Sequence, residues 1–497
     1  VAHELIAAVD LGSNSFRLQI GRVVGNQIYP LDSLKETVRL AAGLTAERLL
    51  DDAAQERALA ALARFGERLR AIPADSVRAV ATNTLRVAKN AGQFLQAAEV
   101  ALGVPIEVIA GREEARLIYL GVSHSQANPE RQQLVVDIGG GSTEFIIGRR
   151  FQPLHLDSLY MGCVGFSLRY FPEGRVTKRG MREAELAASK ELQTIAQAYR
   201  LTGWEEAVGS SGTAKAIVDL IEQNGWSAGG ISRTGLETLR AQLIRSGDLA
   251  RLGIAGSRPD RLPVLPGGVA IMTAIFNEFG LEHMSFSEGA LRLGVLYDLL
   301  GRYHHEDQRQ ATVRHFMARY HVDVRQAERV GRTALMLFEQ IQPDIREPEH
   351  PDAQCLLWAA QLHEIGVSLA YSSYHKHSAY IIANADMPGF SRRDQARVSH
   401  IVLAHRGRLE RVRPEIADVR EWLLIFCLRL AVLLHRARDD GPAPPVAAAL
   451  TARGFSLRVD AAWLAGSPLT AAALVEEARQ WTTLGLELKV KTRRNQA

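Results

Sequence analysis

Cysteine is scarce in this chain. Cys163, Cys355 and Cys427 are the three among 497 residues, widely spaced and without a Cys-x-x-Cys pair. An odd, scattered set argues against a disulfide frame and a cysteine zinc site, and for a reducing compartment. Long apolar runs are missing too, so no stretch of sequence approaches a membrane span. No basic segment with an apolar stretch and cleavage site precedes the first strand pattern, Leu5-Ile6-Ala7-Ala8-Val9, and the expected location is the cytoplasm. Neither sign of charge dominates: 59 Lys and Arg stand against 55 Asp and Glu, a net +4. That mild excess suits an anionic ligand without demanding one, and no specific nucleic-acid partner is expected. At 47% hydrophobic residues the chain has apolar mass for several cores, and its length suggests three or four domains.

What the chain does have is a statement made twice. Val9-Asp10-Leu11-Gly12-Ser13-Asn14-Ser15-Phe16-Arg17-Leu18-Gln19-Ile20-Gly21-Arg22 returns without a gap as Val136-Asp137-Ile138-Gly139-Gly140-Gly141-Ser142-Thr143-Glu144-Phe145-Ile146-Ile147-Gly148-Arg149, and seven of the fourteen positions are identical. The separation, Asp10 to Asp137, is too long for a solenoid unit and indicates two duplicated domains facing each other. Each copy reads as strand, tight Gly/Ser turn, strand. One such turn after a carboxylate is as readily an Asx-turn closing a hairpin. Two aligned copies, one of them Gly139-Gly140-Gly141-Ser142-Thr143, favour phosphate binding, because glycine lets backbone N–H groups approach an oxyanion and hydroxyls add donors. Facing each other, the turns would hold a phosphate chain and a metal between them.

Around the repeat the texture alternates strand and helix, the signature of α/β architecture. A helical stretch is expected over about 46–72, then a strand over 77–82, an exit loop over 83–86, a strand over 106–109 and a helix from Gly111 through Tyr119. Gly209-Ser210-Ser211-Gly212-Thr213 is a third turn of phosphate type, weak alone. Glu114, beside Glu113 in the first turn of a helix, is by itself ordinary acid placement at a helix N-terminus. Glu144 is more telling: it follows the Gly-rich turn, and its counterpart in the first copy is Arg17. From about residue 304 strand signals give way to helices, and 439–445 (Asp-Asp-Gly-Pro-Ala-Pro-Pro) is the clearest linker. The expected division is 1–118, 119–303, 304–438 and 439–497.

These turns, with Ala81-Thr82-Asn83-Thr84-Leu85-Arg86, Gly111-Arg112-Glu113-Glu114-Ala115-Arg116, the 209–213 turn and Ser287-Glu288-Gly289-Ala290-Leu291-Arg292-Leu293-Gly294, resemble the exopolyphosphatase / guanosine pentaphosphate phosphohydrolase family. The resemblance extends through Leu362-His363-Glu364-Ile365-Gly366 and His375-Lys376-His377-Ser378-Ala379-Tyr380 of the long form. It implies duplicated actin-like (ribonuclease H-like) α/β ATPase domains, then an all-α domain similar to the HD phosphohydrolases and a small α+β C-terminal domain. By the same resemblance Glu114 is the carboxylate that polarises or deprotonates the attacking water, and Glu144 orients water or metal. Asp10 and Asp137 would hold Mg²⁺ or another divalent cation, and no organic cofactor is implied. Gly12, Ser13, Asn14, Ser15, Gly139, Gly140, Gly141, Ser142 and Thr143 would grip the terminal phosphates, with Gly209, Ser210, Ser211, Gly212 and Thr213 as a further phosphate turn. Arg86 would pair with phosphate. A homodimer is implied as well.

An HD metal site wants an adjacent His-Asp pair. Here the pair is His363-Glu364, and His375, His377, His400 and His405 are expected to be structural or to face a polyanion channel rather than to bind metal. Arg406, Arg408, Arg411 and Arg413 are either a solvated face or a track for a long phosphate chain. The resulting expectation is a processive Mg²⁺-dependent exopolyphosphatase that releases orthophosphate from inorganic polyphosphate. The sibling activity, hydrolysis of guanosine pentaphosphate to the tetraphosphate, uses the same site, and a guanine pocket would distinguish the two. A nucleotide-binding switch of the actin type is the rival from another class. Cys163 reads as an apolar filler.

Overall fold

The repeated sequence folds as a repeated sheet. Strands β1 (Leu5–Leu11), β2 (Phe16–Val24), β3 (Gln27–Glu36), β4 (Val77–Ala81) and β5 (Ile106–Val108) form one sheet in the order β3-β2-β1-β4-β5. Strands β6 (Gln133–Ile138), β7 (Thr143–Arg149), β8 (Gln152–Leu159), β9 (Glu206–Ser210), β10 (Ile231–Ser232) and β11 (His283–Phe286) form another, in the order β10-β11-β9-β6-β7-β8. The path β8-β7-β6-β9-β11 retraces β3-β2-β1-β4-β5, with the same antiparallel and parallel pairings. Even the register shift is duplicated, at Ile20/Gly21 and at Ile147/Gly148. β6 is buried along its whole length, as expected of a strand covered on both faces.

The structure, a computed structural model, describes residues 5–25, 27–125, 130–303, 307–343, 350–416, 419–440 and 445–493. It divides into two compact units, 1–307 and 308–497. Within the first unit, the helices Gly111–Ser125 and Leu291–Tyr303 share one core with both sheets. Leu117, Ile118, Val122, Val295 and Leu296 pack with Ile6, Ala8 and Val80 of the first sheet and Val135, Ile146 and Val208 of the second. Glycine permits the contact: a Cβ on Gly294 would fall 1.7 Å from the Leu117 carbonyl oxygen. The boundary expected after residue 118 therefore lies inside a continuous helix that serves both halves.

Two local expectations need correction. The helix expected from residue 46 begins at Asp52. Before it, Leu44 and Leu50 form a β-bridge around a turn with Arg48 at φ 65°, and Asp51 caps the helix by accepting from the Ala54 N–H at 2.6 Å. The expected exit loop over 83–86 is a short helix, Asn83–Val87. The expectation that no stretch approaches a membrane span also needs correction: Leu262–Phe279 reaches that length and mean hydropathy. It is mostly buried, with Val269, Met272 and Phe276 in the core of the second sheet.

The second unit has helices Gln308–Arg319, Val324–Ile341, Pro351–Leu362, Tyr374–Asn384, Arg392–Ala404 and Val419–Leu434, then a sheet of β12 (Val446–Thr451), β13 (Gly454–Asp460) and β14 (Glu487–Arg493) in that order. Its helical and α+β parts share one core. Phe426 stacks on Phe455 at 3.9 Å between ring centroids, Trp481 meets both edge-on, and Arg429 donates to Glu477 at 2.6 Å. Of the linker expected over 439–445, residues 441–444 lie outside the described residues, and Asp440 pairs with Arg329.

Candidate active site

The two Gly/Ser turns meet face to face. A Cβ on Gly140 would come within 3.0 Å of Ser13 Cβ and 3.2 Å of the Asn14 nitrogen, and one on Gly141 within 2.7 Å of Asn83 Oδ1. Their carbonyls are drawn off alike: Ser13 O accepts from Ala41 N at 2.9 Å, and its counterpart Gly140 O from Val164 N at 3.0 Å. Among the described residues the backbone N–H groups of Ser13, Asn14, Gly140 and Gly141 have no protein acceptor. Donors clustered in this way form an anion-binding nest. Between the turns lies a cavity of about 340 Å³, lined by Gly12, Ser13, Asn14, Ser15, Gly139, Gly140, Gly141 and Ser142, by Asp10, Glu114 and Asp137, and by Ser211, Gly212 and Thr213.

Sheet register places the acids. Asp10 lies opposite Arg17 on β1 and β2, and Asp137 opposite Glu144 on β6 and β7. Glu114 enters from the first turn of Gly111–Ser125. That helix can start so close to β8 because residue 111 is glycine, whose Cβ would otherwise fall 2.6 Å from Ser158 Cβ. Burial pushes the Glu114 carboxyl up to about 7, against the pull of Arg86. Asp137 is pushed up to about 6 by burial, partly offset by the Ser210 hydroxyl, which donates to its Oδ2 at 2.8 Å. Burial and the repulsion of Glu114 and Asp137 raise Glu144 well above the usual range, and burial raises Asp10. Glu144 Oε1 accepts from Ser158 at 2.7 Å, whereas Glu144 Oε2 and Asp10 Oδ1 are buried with no hydrogen-bond partner among the described residues.

Several residues expected to touch phosphate stand elsewhere. Arg86 does not line the cavity: its Nη1 donates to Glu114 Oε2 at 2.9 Å and to the Ile109 carbonyl at 3.0 Å. Thr143 donates to the Met161 carbonyl at 2.5 Å and is fully buried. Gly209 and Ser210 also lie off the lining, as does Glu144, expected to orient water or metal. Ser211 opens its helix at φ 84°, a left-handed conformation costly for a serine and of the kind that collects at functional loops. Four lining cations were not assigned from sequence: Arg17, Lys215, Arg261 and Arg292. Burial, with the repulsion of Arg17, lowers Arg292 to about 10, and burial lowers Arg261. An anion between the turns would relieve that repulsion. Burial also raises the Cys163 thiol, which is therefore no thiolate nucleophile.

In the second unit His363 and His405 are buried by their own fold, and His375, His377 and His400 are half-buried. His363 Nδ1 lies 2.7 Å from the Ala360 carbonyl and His405 Nδ1 2.5 Å from that of Val402, while Glu364 pairs with Arg438. Burial lowers all three of His363, His375 and His405, His375 to about 4. No three His, Cys, Asp or Glu among the described residues form a ligand set there or elsewhere. Arg406 lies over the Tyr371 and Tyr374 rings, and Arg408, Arg411 and Arg413 are exposed.

Comparison with known proteins agrees with this geometry. Residues 19–303 match the Ppx/GppA phosphatase family, and residues 308–478 match Ppx/GppA phosphatase, domain III. The guanosine-5'-triphosphate,3'-diphosphate pyrophosphatase of Aeromonas hydrophila is 38% identical over 485 residues, 97% of each chain. The protein of the same name from Pseudoalteromonas atlantica is 38% identical over 492 residues, 98% of this chain and 97% of its own. Among solved structures, an exopolyphosphatase from Cytophaga hutchinsonii superposes with a TM-score of 0.55 at 25% identity, over 60% of this chain and 97% of that one. It shares the duplicated actin-like α/β fold. Family matches that span both units and relatives matched over nearly their whole length lead to one assignment: the chain is a phosphoanhydride hydrolase and belongs to the Ppx/GppA phosphatase family.

Proposed function

We propose that the protein hydrolyses the terminal 5′-phosphate of guanosine pentaphosphate, giving guanosine tetraphosphate and orthophosphate. The observation that carries this choice is extent. Relatives named for the guanosine nucleotide match along 97% of both chains, whereas the exopolyphosphatase likeness covers 60% of this one. The expectation of a primary exopolyphosphatase thus yields to its sibling activity. Polyphosphate remains a second reading, supported by that solved exopolyphosphatase and by a cleft that can take any terminal phosphate.

Water attack on a terminal phosphoryl group needs positioning, charge neutralisation and a base. The turns supply N–H donors on two sides of the phosphate chain, and Arg17, Arg261 and Arg292 supply positive charge. Glu114, poised at about 7, takes the water proton as the new O–P bond forms and the bridging P–O bond breaks toward the leaving diphosphate end. Arg86 holds the Glu114 carboxylate. Burial and the neighbouring Glu114 and Asp137 push Glu144 well above the usual carboxylate range, so it resists adding a further charge beside Glu114.

The donor set fits a hard divalent cation such as Mg²⁺. Asp10 Oδ1 is buried and unpartnered, and the cleft acids raise one another's affinity for protons, which a cation would replace. Asp10 and Asp137 would hold it. The lack of a three-residue cage among the described residues suits Mg²⁺, which keeps waters and shares phosphate oxygens. When bound, it would neutralise charge on the phosphate oxygens. Product analysis by phosphorus NMR tests the reading. It expects one orthophosphate and guanosine tetraphosphate per turnover, and release of pyrophosphate or loss of the 3′-diphosphate would overturn it.

A further inference from the structure

A cleft that prefers a guanosine nucleotide must read the base, and neither the turns nor the acids do so. The cavity has one aromatic lining residue, Phe286. It ends β11 and packs against the core of the second sheet, which fixes its ring. Lys215 Nζ lies 5.4 Å above that ring and donates to Glu288 Oε1 at 2.9 Å, and both residues also line the cavity.

The sheet sets where this group stands relative to the phosphates. Asp137 pairs with Ser210, and Gly209 with Phe286, so the ends of β6, β9 and β11 lie side by side. Two strand spacings put Phe286 about 10 Å across from Asp137, on the carboxyl side where open α/β sheets bind ligands. A phosphate chain anchored at the turns and passing the helix start at 211–213 carries its nucleoside toward Phe286.

We infer that Phe286, Lys215 and Glu288 form the guanine subsite: the base stacks on Phe286 in place of Lys215, and the freed Glu288 carboxylate accepts from the base's N1–H and exocyclic amine. The chemistry selects guanine. Its Watson–Crick edge offers a carboxylate two adjacent donors, whereas adenine offers one donor beside an acceptor lone pair that a carboxylate repels. The pair that must open is easily opened: the Glu288 side chain is 81% exposed and that of Lys215 43%, and such pairs contribute little to stability. This inference rests on the guanosine nucleotide reading.

The test compares guanosine pentaphosphate, its inosine counterpart and inorganic tripolyphosphate, which has no base, as substrates. Phe286→Ala should raise KM for guanosine pentaphosphate roughly tenfold or more, as loss of a stacking platform does, with kcat and tripolyphosphate turnover unchanged, and Phe286→Trp should restore it. Glu288→Gln, at an exposed position that leaves folding intact, should shrink the preference for guanosine over inosine, which lacks the exocyclic amine. Unchanged KM and preference in both variants would overturn the subsite, as would equal losses on tripolyphosphate. Equilibrium binding of guanosine tetraphosphate separates the two ideas. If the native protein binds it and Phe286→Ala does not, the subsite stands even if guanosine pentaphosphate is not hydrolysed. If the native protein does not bind it, the subsite falls.

Discussion

Replacing Arg86 with glutamine should move the pH dependence of hydrolysis rather than simply weaken it. Arg86 Nη1 lies 2.9 Å from Glu114 Oε2, with side chains 3% and 9% exposed, so water screens the pair little. A guanidinium at that range lowers a carboxyl by roughly 1–3 pH units. Its removal, with water filling part of the space, takes Glu114 upward from about 7 by about 1–2 units. A general base must be ionised, so the acid limb of kcat/KM shifts to higher pH by the same amount. At pH 7 the ionised fraction drops from about one half to between about one tenth and one hundredth, a loss of roughly 5- to 50-fold. The assay is phosphate release from guanosine pentaphosphate between pH 5.5 and 9.5, with recovery toward the native rate at the alkaline end. A loss that is uniform with pH and accompanied by a raised KM would refute this reasoning and return Arg86 to the phosphate-binding role that the resemblance implies.

Other outcomes follow from the same geometry. Glu114→Gln should cost about 10²–10⁴ in turnover while guanosine tetraphosphate binding, measured by calorimetry, persists; comparable loss of both would remove Glu114 from the role of base. Gly140→Ala places a Cβ 3.0 Å from Ser13 Cβ and 3.2 Å from the Asn14 nitrogen; it should part the turns and raise KM without unfolding the protein, and a native KM would contradict the facing turns. Ser210→Ala removes the bond to Asp137 and should raise the Mg²⁺ concentration for half-maximal activity at pH 7 severalfold, read by metal titration, where no change would count against Asp137 as a ligand. Asp137 at about 6 and Glu114 at about 7 hold protons more tightly folded than unfolded. Their contribution to stability is therefore full below the ordinary carboxylate range and lost as pH rises through 6 to 7. The thermal midpoint of the metal-free protein should fall from pH 5 to pH 8, with Mg²⁺ restoring more at pH 8; a rise over that interval would contradict the buried acids.

The parts of this account legible in sequence are those written locally. The repeat fixes two hairpins, and because side chains alternate along a strand, it also fixes that Asp137 faces Glu144 where Asp10 faces Arg17. The glycines of the second turn are read as room for the backbone to approach an oxyanion; the structure adds that a Cβ on Gly140 would also meet Ser13 Cβ at 3.0 Å. Partners distant in sequence are not written in that way. Nothing local shows that Arg86 spends its charge on Glu114, or that Arg261 reaches Gly212, whose Cβ would sit 2.2 Å from its guanidinium. Arg292 lies inside the Ser287–Gly294 motif, but a motif does not say which way a helix residue faces. The helix expected from residue 46 failed for a similar reason. Alanine, leucine and arginine give the right composition, but the β-bridge between Leu44 and Leu50 and the Asp51 cap decide where the helix starts. Strain at Ser211 left no sequence signal either, since a left-handed serine reads like any other.

The most direct test of the central claim is kcat/KM, with Mg²⁺ present, for guanosine pentaphosphate against long-chain polyphosphate under one set of conditions. The account predicts a clear preference for the nucleotide, with guanosine tetraphosphate and orthophosphate as products. Faster turnover of polyphosphate, with the nucleotide a poor substrate, would contradict it and make the exopolyphosphatase reading primary.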